Sequence, residues 1–300
     1  MSYPVHILKW LAYFDVFQHP LTSKELAQLC SCDVEVIKEQ VEHLEKERRC
    51  FIHGDYVSIN SDVETLVEQR KFKEDEAGKY FSKLPRYVRL IRKFPFVKGI
   101  AISGSLSKNV MYEDGDVDYF IITQENRMWL CRTLLILFKK IVLLNSRKYF
   151  CLNYFVDEKN LKIRDKNIFT AVEIAYLLPV YNLELFDDLK KQNNWVSNFI
   201  PPVDLDISTI QLEKKKRSSV LEKIFSKNLG EKLDIYFMQL TYKRWQRKFS
   251  NFPKVKFDQT MRSERGVSKH HPKDFQNTVL SIYESKLKML NIQDEVIIQS

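Results

Sequence analysis

A short stretch near the middle of the chain combines a glycine-serine pair with two closely spaced aspartates. It runs from residue 104 to 122 and reads GSLSKNVMYEDGDVDYFII. Gly104 and Ser105 close one apolar run, and Asp116 and Asp118 open the next, with eleven residues from the serine to the first aspartate. Alternate side chains of a strand point to one face, so we expect the aspartates to lie together. Two adjacent carboxylates repel each other unless a cation lies between them, which predicts a divalent metal site.

The glycine-serine pair provides groups that bind phosphate. Gly104 lets a ligand approach the backbone closely, because it has no Cβ atom. Amides at the start of the short helix predicted after it can bind anions, and Ser105 adds a hydroxyl group. Mg²⁺, or Mn²⁺ in its place, uses a few carboxylates together with the phosphate oxygens of a substrate. The stretch therefore predicts a site for a nucleoside triphosphate whose phosphates bridge helix and metal.

The elements on either side must position these residues. Apolar runs predict three strands, at 97–103, 116–123 and 148–156. Helical patterns are predicted at 63–92, 127–144, 168–178, 208–250 and 274–290. The first of these helices is expected to break near Pro85. This mixture of elements predicts an α+β fold.

The first 60 residues predict three helices and a hairpin. Apolar spacing places a helix at 4–17, and Thr22 with Glu25 three residues later forms the pattern of a capping box that starts a second helix. A third helix is predicted at 33–49 and a hairpin at 50–59. This order of elements is typical of a winged helix-turn-helix domain.

The third helix of that domain argues against DNA reading. Residues 33–49 carry six acidic and four basic side chains. A helix that enters a DNA groove should be basic, because phosphate neutralisation provides much of the affinity. We therefore expect the domain to contact a protein partner or to orient the neighbouring domain. A winged-helix DNA-binding regulator is the alternative.

The central stretch resembles the motif of the nucleotidyltransferases with the DNA polymerase beta-like fold. In that family a Gly-Ser pair follows an apolar strand, and eleven residues separate the serine from the first aspartate of Asp-x-Asp, as they separate Ser105 from Asp116. The chain also resembles a bacterial subgroup in which a winged helix precedes the transferase domain, on LAYFDVF at 11–17 and CLNYF at 151–155. The motif resemblance covers about 85–178.

The resemblance implies an architecture for the whole chain. It implies a small mixed β-sheet nucleotidyltransferase core, preceded by a winged helix and followed by a helical C-terminal region. The implied boundaries are 1–61 for the winged helix-turn-helix, 62–84 for a linker helix, 85–178 for the core and 179–300 for the mainly helical region.

The resemblance also implies an activity. A nucleoside monophosphate would pass from a triphosphate such as ATP to an acceptor hydroxyl on a small molecule, protein or RNA, by in-line attack on the α-phosphate with release of pyrophosphate. Asp116 and Asp118 are implied to be catalytic and to hold Mg²⁺. The implied phosphate-binding residues are Gly104, Ser105 and Ser107 or Lys108.

Two residues depart from the family pattern. The family commonly has glycine at the position of Asn109, and asparagine tolerates the left-handed backbone better than most residues. The family also places a third catalytic carboxylate within the strand predicted at 148–156, where the polar residue is Asn153. An amide is a weaker Mg²⁺ ligand and cannot act as a general base. Asp157 and Glu158 are nearby substitutes, and a nucleotide-binding or regulatory protein without turnover is the alternative to an enzyme.

The net charge of +9 is concentrated in two segments. Residues 213–256 hold 13 Lys/Arg against four Asp/Glu, and residues 70–98 hold ten against three. Such segments either meet an anionic ligand, such as a nucleotide or polynucleotide, or form the solvated faces of long helices. The basic residues around Trp245 resemble a nucleic-acid surface, but helical spacing predicts Trp245 in the core.

Cellular location is predicted from cysteines and hydropathy. The five cysteines are scattered and odd in number, which predicts free thiols in a reducing compartment. The N-terminal segment has no basic leader, and no apolar run reaches the roughly 20 residues of a membrane span. We therefore expect a cytoplasmic protein without membrane contact. The polar residues 270–272 predict an exposed loop rather than one that folds back on the site.

Overall fold

The computed structural model describes residues 3–146, 148–205 and 220–292. Over these ranges the chain is an α+β structure with two β-sheets. None of the helices in these ranges has the length and apolar character needed to cross a bilayer. Residues 206–219 are not among the described residues. They include the first part of the helix predicted at 208–250 and the first part of the basic segment 213–256. All five cysteines lie within the described ranges, and none of the five forms a disulfide.

The N-terminal unit contains three helices and a small antiparallel sheet. Its elements are α1 (Tyr3–Asp15), β1 (Leu21–Thr22), α2 (Ser23–Cys30), α3 (Val34–Lys46), β2 (Phe51–His53) and β3 (Tyr56–Ser58). The sheet order is β1-β3-β2. The predicted helices and hairpin are therefore confirmed as elements. The two-residue strand β1 was not predicted, because so short a run carries no periodicity.

A buried arginine connects this unit to the next helix. Thr22 and Glu25 form the predicted capping box, in which the Thr22 N–H donates to Glu25 Oε2 at 2.8 Å and Thr22 Oγ1 accepts from the Glu25 N–H at 3.2 Å. Arg70 of α4 (Val63–Ile91) donates to Oε1 and Oε2 of Glu25 at 2.7 and 2.8 Å. The Glu25 side chain, which completes the capping box of α2, thus also binds α4 through Arg70.

Helix α4 continues through Pro85 to Ile91, so the predicted break is wrong. Proline removes one backbone donor and crowds the preceding turn. On both sides of it, however, Leu84, Val88 and Ile91 are buried in the core. This packing holds the helix together across the proline.

The larger sheet of the described part of the chain has six strands. They are β4 (Val97–Ser103), β5 (Asp118–Thr123), β6 (Cys151–Asp157), β7 (Leu178–Tyr181), β8 (Ser263–Glu264) and β9 (Val267–Lys269). Their order is β7-β4-β5-β6-β9-β8, and β5 pairs parallel with β6 while the other pairs are antiparallel. The three predicted strands are confirmed within a few residues. Strands β7, β8 and β9 were not predicted, and they extend the sheet beyond the range 85–178.

Helices cover both faces of this sheet. The helices are α5 (Met128–Ile141), α6 (Ile168–Ala175), α7 (Leu183–Gln192), α8 (Val220–Ile224), α9 (Asn228–Lys248), α10 (Lys254–Thr260) and α11 (Phe275–Met289), and short 3₁₀ turns lie at Leu106–Lys108 and Asn194–Asn198. Alternate residues of β5 enter different cores. Phe120 and Ile122 pack with the N-terminal unit, α6, α7 and α11, whereas Tyr119 and Ile121 pack with α4, α5 and α9. With both faces covered, polar side chains gather where β4 ends and β5 begins.

Candidate functional site

The pairing of β4 with β5 brings the glycine-serine turn to the aspartates. Ser103, the last residue of β4, is opposite Asp118, the first residue of β5. Gly104 follows at φ +68°, in the left-handed region that favours glycine. A Cβ atom on Gly104 would lie 2.7 Å from Asp118 Oδ2, closer than real side chains approach. Glycine is therefore required here both by its backbone angle and by the nearby carboxylate.

The turn after Gly104 keeps the predicted shape. A 3₁₀ turn at Leu106–Lys108 ends at Asn109, which takes φ 56° and ψ 35°, so asparagine does adopt the left-handed conformation. Ser107 is buried, and its hydroxyl donates to the Gly104 carbonyl at 2.9 Å. Ser107 therefore stabilises the turn and does not line the cleft. Gly104, Ser105 and Lys108 line it.

The two aspartates lie together, as expected, although only one of them is in the strand. Asp116 precedes β5, whose first residue is Asp118. Val117, between the two aspartates, is held by two backbone hydrogen bonds: its N–H donates to the Lys148 carbonyl at 3.0 Å, and its carbonyl accepts from the Cys151 N–H at 3.1 Å. Ligand atoms of Asp116, Asp118 and Cys151 all lie within 4.8 Å of one another. The strand was thus predicted two residues too long, but the acidic pair forms.

Strand β6 supplies two further polar groups to Asp118. Asn153 lies next to it as predicted, and its Nδ2 donates to Asp118 Oδ1 at 2.9 Å. Cys151 is directly opposite Asp118 across the strands and was not predicted. Its signal was available, because residues two apart in a strand share a face. Asp157 and Glu158 lie at the other end of β6, where Asp157 is opposite Thr123, so they do not replace a third carboxylate.

A carboxylate that the sequence did not indicate lies on the phosphate-binding groups. Glu173 of α6 accepts from Lys108 Nζ at 2.7 Å through Oε1, and from the Gly104 N–H at 3.3 Å through Oε2. An amide and an ammonium group predicted to bind phosphate therefore bind an anion of the protein itself. Glu173 is about 70 residues away along the chain, and only the packing of α6 brings it here.

The electrostatics of the site favour an oxygen-ligated cation. Burial, then the nearby Asp116 and Glu173, raise the pKa of Asp118 to about 7, although hydrogen bonds from Cys151 and Asn153 oppose the shift. Burial and the adjacent Asp118 also raise the pKa of the Cys151 thiol well above its usual value. Without a metal the thiol therefore stays protonated at neutral pH. The two carboxylates offer the oxygen ligands that Mg²⁺ and Mn²⁺ prefer.

These residues open onto a cleft of about 1500 Å³. Sites for one small molecule usually enclose about 300–1,000 Å³, so the cleft is larger than a single small-molecule site needs. His270 and His271 line it, so the prediction of an exposed loop at 270–272 is wrong. The reason is the pairing of β9 with β6, which continues as a 3.0 Å hydrogen bond from the His270 N–H to the Asn153 carbonyl.

Comparison with known proteins gives no relative for this arrangement. No protein-family model matches the chain. Searches of curated proteins and of solved structures likewise find no significant match. Function is therefore inferred from an acidic pair beside a glycine turn, where the inner strands β4 and β5 of a mixed sheet meet in an α+β protein.

The close approach of Gly104 to Asp118 predicts the effect of a single methyl group. Gly104→Ala should strain the backbone and also displace the Asp118 carboxylate, because the new Cβ would lie 2.7 Å from it. Gly54→Ala is the matched control, since Gly54 has φ +63° and nothing within 4 Å of its Cβ position. A left-handed alanine costs about 1–2 kcal/mol on its own. In urea unfolding, Gly104→Ala should lose more stability than Gly54→Ala, and equal losses would contradict the crowding.

The raised pKa of Asp118 predicts a pH-dependent stability. Between its usual value of 3.8 and about 7, the folded protein retains a proton that the unfolded chain has lost. The contribution of Asp118 to the free energy of unfolding therefore falls as pH rises through this window. Asp118→Asn should become increasingly stable relative to the unmodified protein from pH 4 to 7 and level off above, measured by urea unfolding in EDTA. The exposed Asp114→Asn is the control, and a difference independent of pH would contradict the shift.

Proposed function

We propose that the protein is a Mg²⁺- or Mn²⁺-dependent nucleotidyltransferase with an N-terminal winged helix. The observation that carries the proposal is the contact of the Gly104 backbone with Asp118, with Asp116 within 4.8 Å of the same group. This is the juxtaposition that the resemblance to the nucleotidyltransferases implies for a Gly-Ser turn and an Asp-x-Asp pair. The mixed sheet that holds it is compatible with the implied core.

The metal would be held by Asp116 and Asp118. When bound, it neutralises charge on the phosphates and orients them for in-line displacement. Burial first, and then the negative charge of Asp116, raise the pKa of Asp118, so the two carboxylates repel each other when both are ionised. A divalent cation relieves that repulsion. Cys151, as a neutral thiol, and Asn153, through its amide N–H, orient Asp118 from β6.

The triphosphate would bind at the turn now occupied by Glu173. Its oxygens would take the place of the Glu173 carboxylate on the Gly104 N–H and the Lys108 ammonium, so one anion replaces another. Ser105 lines the same part of the cleft and adds a hydroxyl donor. Ser107 keeps the turn in shape through its hydrogen bond to the Gly104 carbonyl.

In the proposed reaction, an acceptor hydroxyl oxygen bonds to the α-phosphorus while the bond to pyrophosphate breaks, and the hydroxyl proton passes to water. Positioning and charge neutralisation supply most of the catalysis in such transfers. Asn153 occupies the place where the family uses a third carboxylate, and its amide cannot accept the proton of the acceptor. This substitution implies slow transfer in the isolated protein.

The N-terminal unit would serve as a protein-contact domain. The six acidic residues at 33–47 are all exposed on or beside α3, and the buried face of that helix is formed by Ile37, Val41 and Leu44. An acidic exposed face is repelled by DNA phosphates and can meet a basic protein partner. This supports the interpretation that the domain does not read DNA.

Nucleotide binding without transfer is the second candidate function. The observation that favours it is the hydrogen bond from Asn153 to Asp118. The resemblance implies a third acid in this strand for an active enzyme, and an amide is present instead. In this case the site senses a nucleotide, and the displacement of Glu173 from Lys108 is the structural response to binding.

A labelled transfer assay separates these candidates. The protein is incubated with each α-labelled nucleoside triphosphate, Mn²⁺ or Mg²⁺ and a cell lysate as the source of acceptor. We expect label to move to an acceptor, and Asp116→Asn/Asp118→Asn to reduce the transfer by at least about 100-fold, the scale of losing preorganised charge stabilisation. Asp114→Asn, an exposed acid outside the cleft, should leave transfer unchanged.

The outcomes distinguish three cases. Transfer by the double variant at the unmodified rate would show that the aspartate pair is not the site. Metal-dependent triphosphate binding without transfer would favour the second candidate. Absence of both binding and transfer would contradict either function.

Restoring a carboxylate at Asn153 tests the reason for slow transfer. Asn153→Asp replaces the amide that contacts Asp118 at 2.9 Å with a metal ligand and general base. A positioned general base is worth about 10²–10⁴-fold. We expect a faster metal-dependent transfer rate and, in EDTA, a less stable protein. The isosteric Asn109→Asp, on the glycine turn rather than in β6, is the control, and an unchanged rate in a folded Asn153→Asp protein would contradict the explanation.

A further inference from the structure

A second cationic feature of the cleft has no role in the site described above. Arg132 of α5 is 8% exposed and lines the cleft. The carbon of its guanidinium lies 4.9 Å from the ring centre of Trp245, 5.5 Å from that of Trp129 and 6.0 Å from that of Phe155. Trp245 is a buried core residue, as its helical spacing predicted. The arginine is thus a fixed, flat cation set among aromatic rings.

This cation has no anionic partner in the described part of the chain. None of the carboxylates there forms an ion pair with Arg132, and its guanidinium donates no hydrogen bond to a described residue. Burial and the neighbouring Arg244 lower the pKa of Arg132 to about 10. The favourable free energy of cation–π contacts is smaller than the unfavourable free energy of removing a charge from water. A perturbed ionisable group that lines a cleft is a candidate for a binding site.

The surroundings of Arg132 connect it to the candidate site. The Trp245 ring that supports the guanidinium also packs against His270, with ring centres 4.9 Å apart. The His270 N–H donates to the Asn153 carbonyl at 3.0 Å, and Asn153 contacts Asp118. Two side chains therefore separate Arg132 from the strand that carries Asn153. The two positions lie in one cleft, which is larger than a single small molecule needs.

We propose that Arg132, together with Arg244, binds the phosphate group of a phosphomonoester, and that a hydroxyl group of the same compound is the acceptor in the proposed transfer, its oxygen bonding to the α-phosphorus as pyrophosphate leaves. Guanidinium groups bind phosphate by paired, charge-assisted hydrogen bonds, and stacking on Trp245 fixes the plane of the fork. Two adjacent cations repel each other, and a phosphomonoester carries close to two negative charges at neutral pH whereas a carboxylate carries one. The assignment as acceptor rests on the proposed transferase function, but phosphate binding itself does not.

The test measures binding of inorganic phosphate to the metal-free protein by isothermal titration calorimetry in EDTA at low salt. Arg132→Met removes the guanidinium and keeps an apolar chain among the rings. Arg244→Met removes an exposed cation, so its fold is not at risk. Arg247→Met is the matched control, because Arg247 is an exposed cation of the same helix outside the cleft lining.

The expected result is a loss of phosphate affinity of at least about tenfold in Arg132→Met, the scale of a charge-assisted contact, with a smaller loss in Arg244→Met. Arg247→Met should bind as the unmodified protein does. Equal affinity in Arg132→Met, Arg244→Met and Arg247→Met, or no phosphate binding by the unmodified protein, would overturn the proposal. Tighter binding of succinate than of phosphate would overturn the choice of a phosphomonoester.

A second titration, with ATP and Mn²⁺, separates the acceptor from the nucleotide. If the triphosphate binds at Gly104 and Lys108, Arg132→Met should leave its affinity unchanged. A parallel tenfold loss of ATP affinity would show that Arg132 holds the nucleotide and would overturn its assignment to the acceptor. Because the phosphate titration contains neither metal nor nucleotide, its result stands even if the transfer assay fails.

Discussion

The site depends on the contact between the Gly104 backbone and the Asp118 carboxylate. A side chain at residue 104 would occupy the space of Asp118 Oδ2, and the left-handed backbone angle there would be strained in most other residues. The pairing of β4 with β5 holds the two strands in the register that produces this contact. Through it, a turn that can bind phosphate and a pair of acids that can bind metal become parts of one surface.

Two charged positions in the cleft are compensated to different extents. At the first, Glu173 neutralises Lys108, while the half-buried Asp118 lies beside Asp116 and has its pKa raised to about 7 by burial and by that neighbour. At the second, Arg132 is buried among aromatic rings and faces Arg244. A bound cation at the first position and a bound anion at the second would relieve both repulsions. The proposed metal-nucleotide complex and the proposed anionic acceptor would each therefore meet uncompensated opposite charge.

The local pattern of apolar and capping residues predicted most helices and strands, but it did not predict where each of them ends, and it missed the short strands. The capping residues Thr22 and Glu25, and the apolar runs of β4 and β5, carry their signal in adjacent residues. Strand β7 and the two short strands β8 and β9 carry no usable periodicity, because they form only by pairing with strands far along the chain. The break expected at Pro85 failed for a similar reason, since buried neighbours outweigh the local cost of proline.

The sequence by itself predicted the two strands that flank the glycine turn and the closeness of Asp116 to Asp118, because spacing along a strand sets which side chains share a face. Asn153 was also identified from its place in β6. Only the tertiary structure brought Glu173 onto Lys108, Cys151 beside Asp118 and Arg132 onto Trp245. These contacts join residues that are tens of positions apart or lie on different elements. They form when separate elements pack against each other, and the order of residue types along the chain does not give the distance between such elements in the fold.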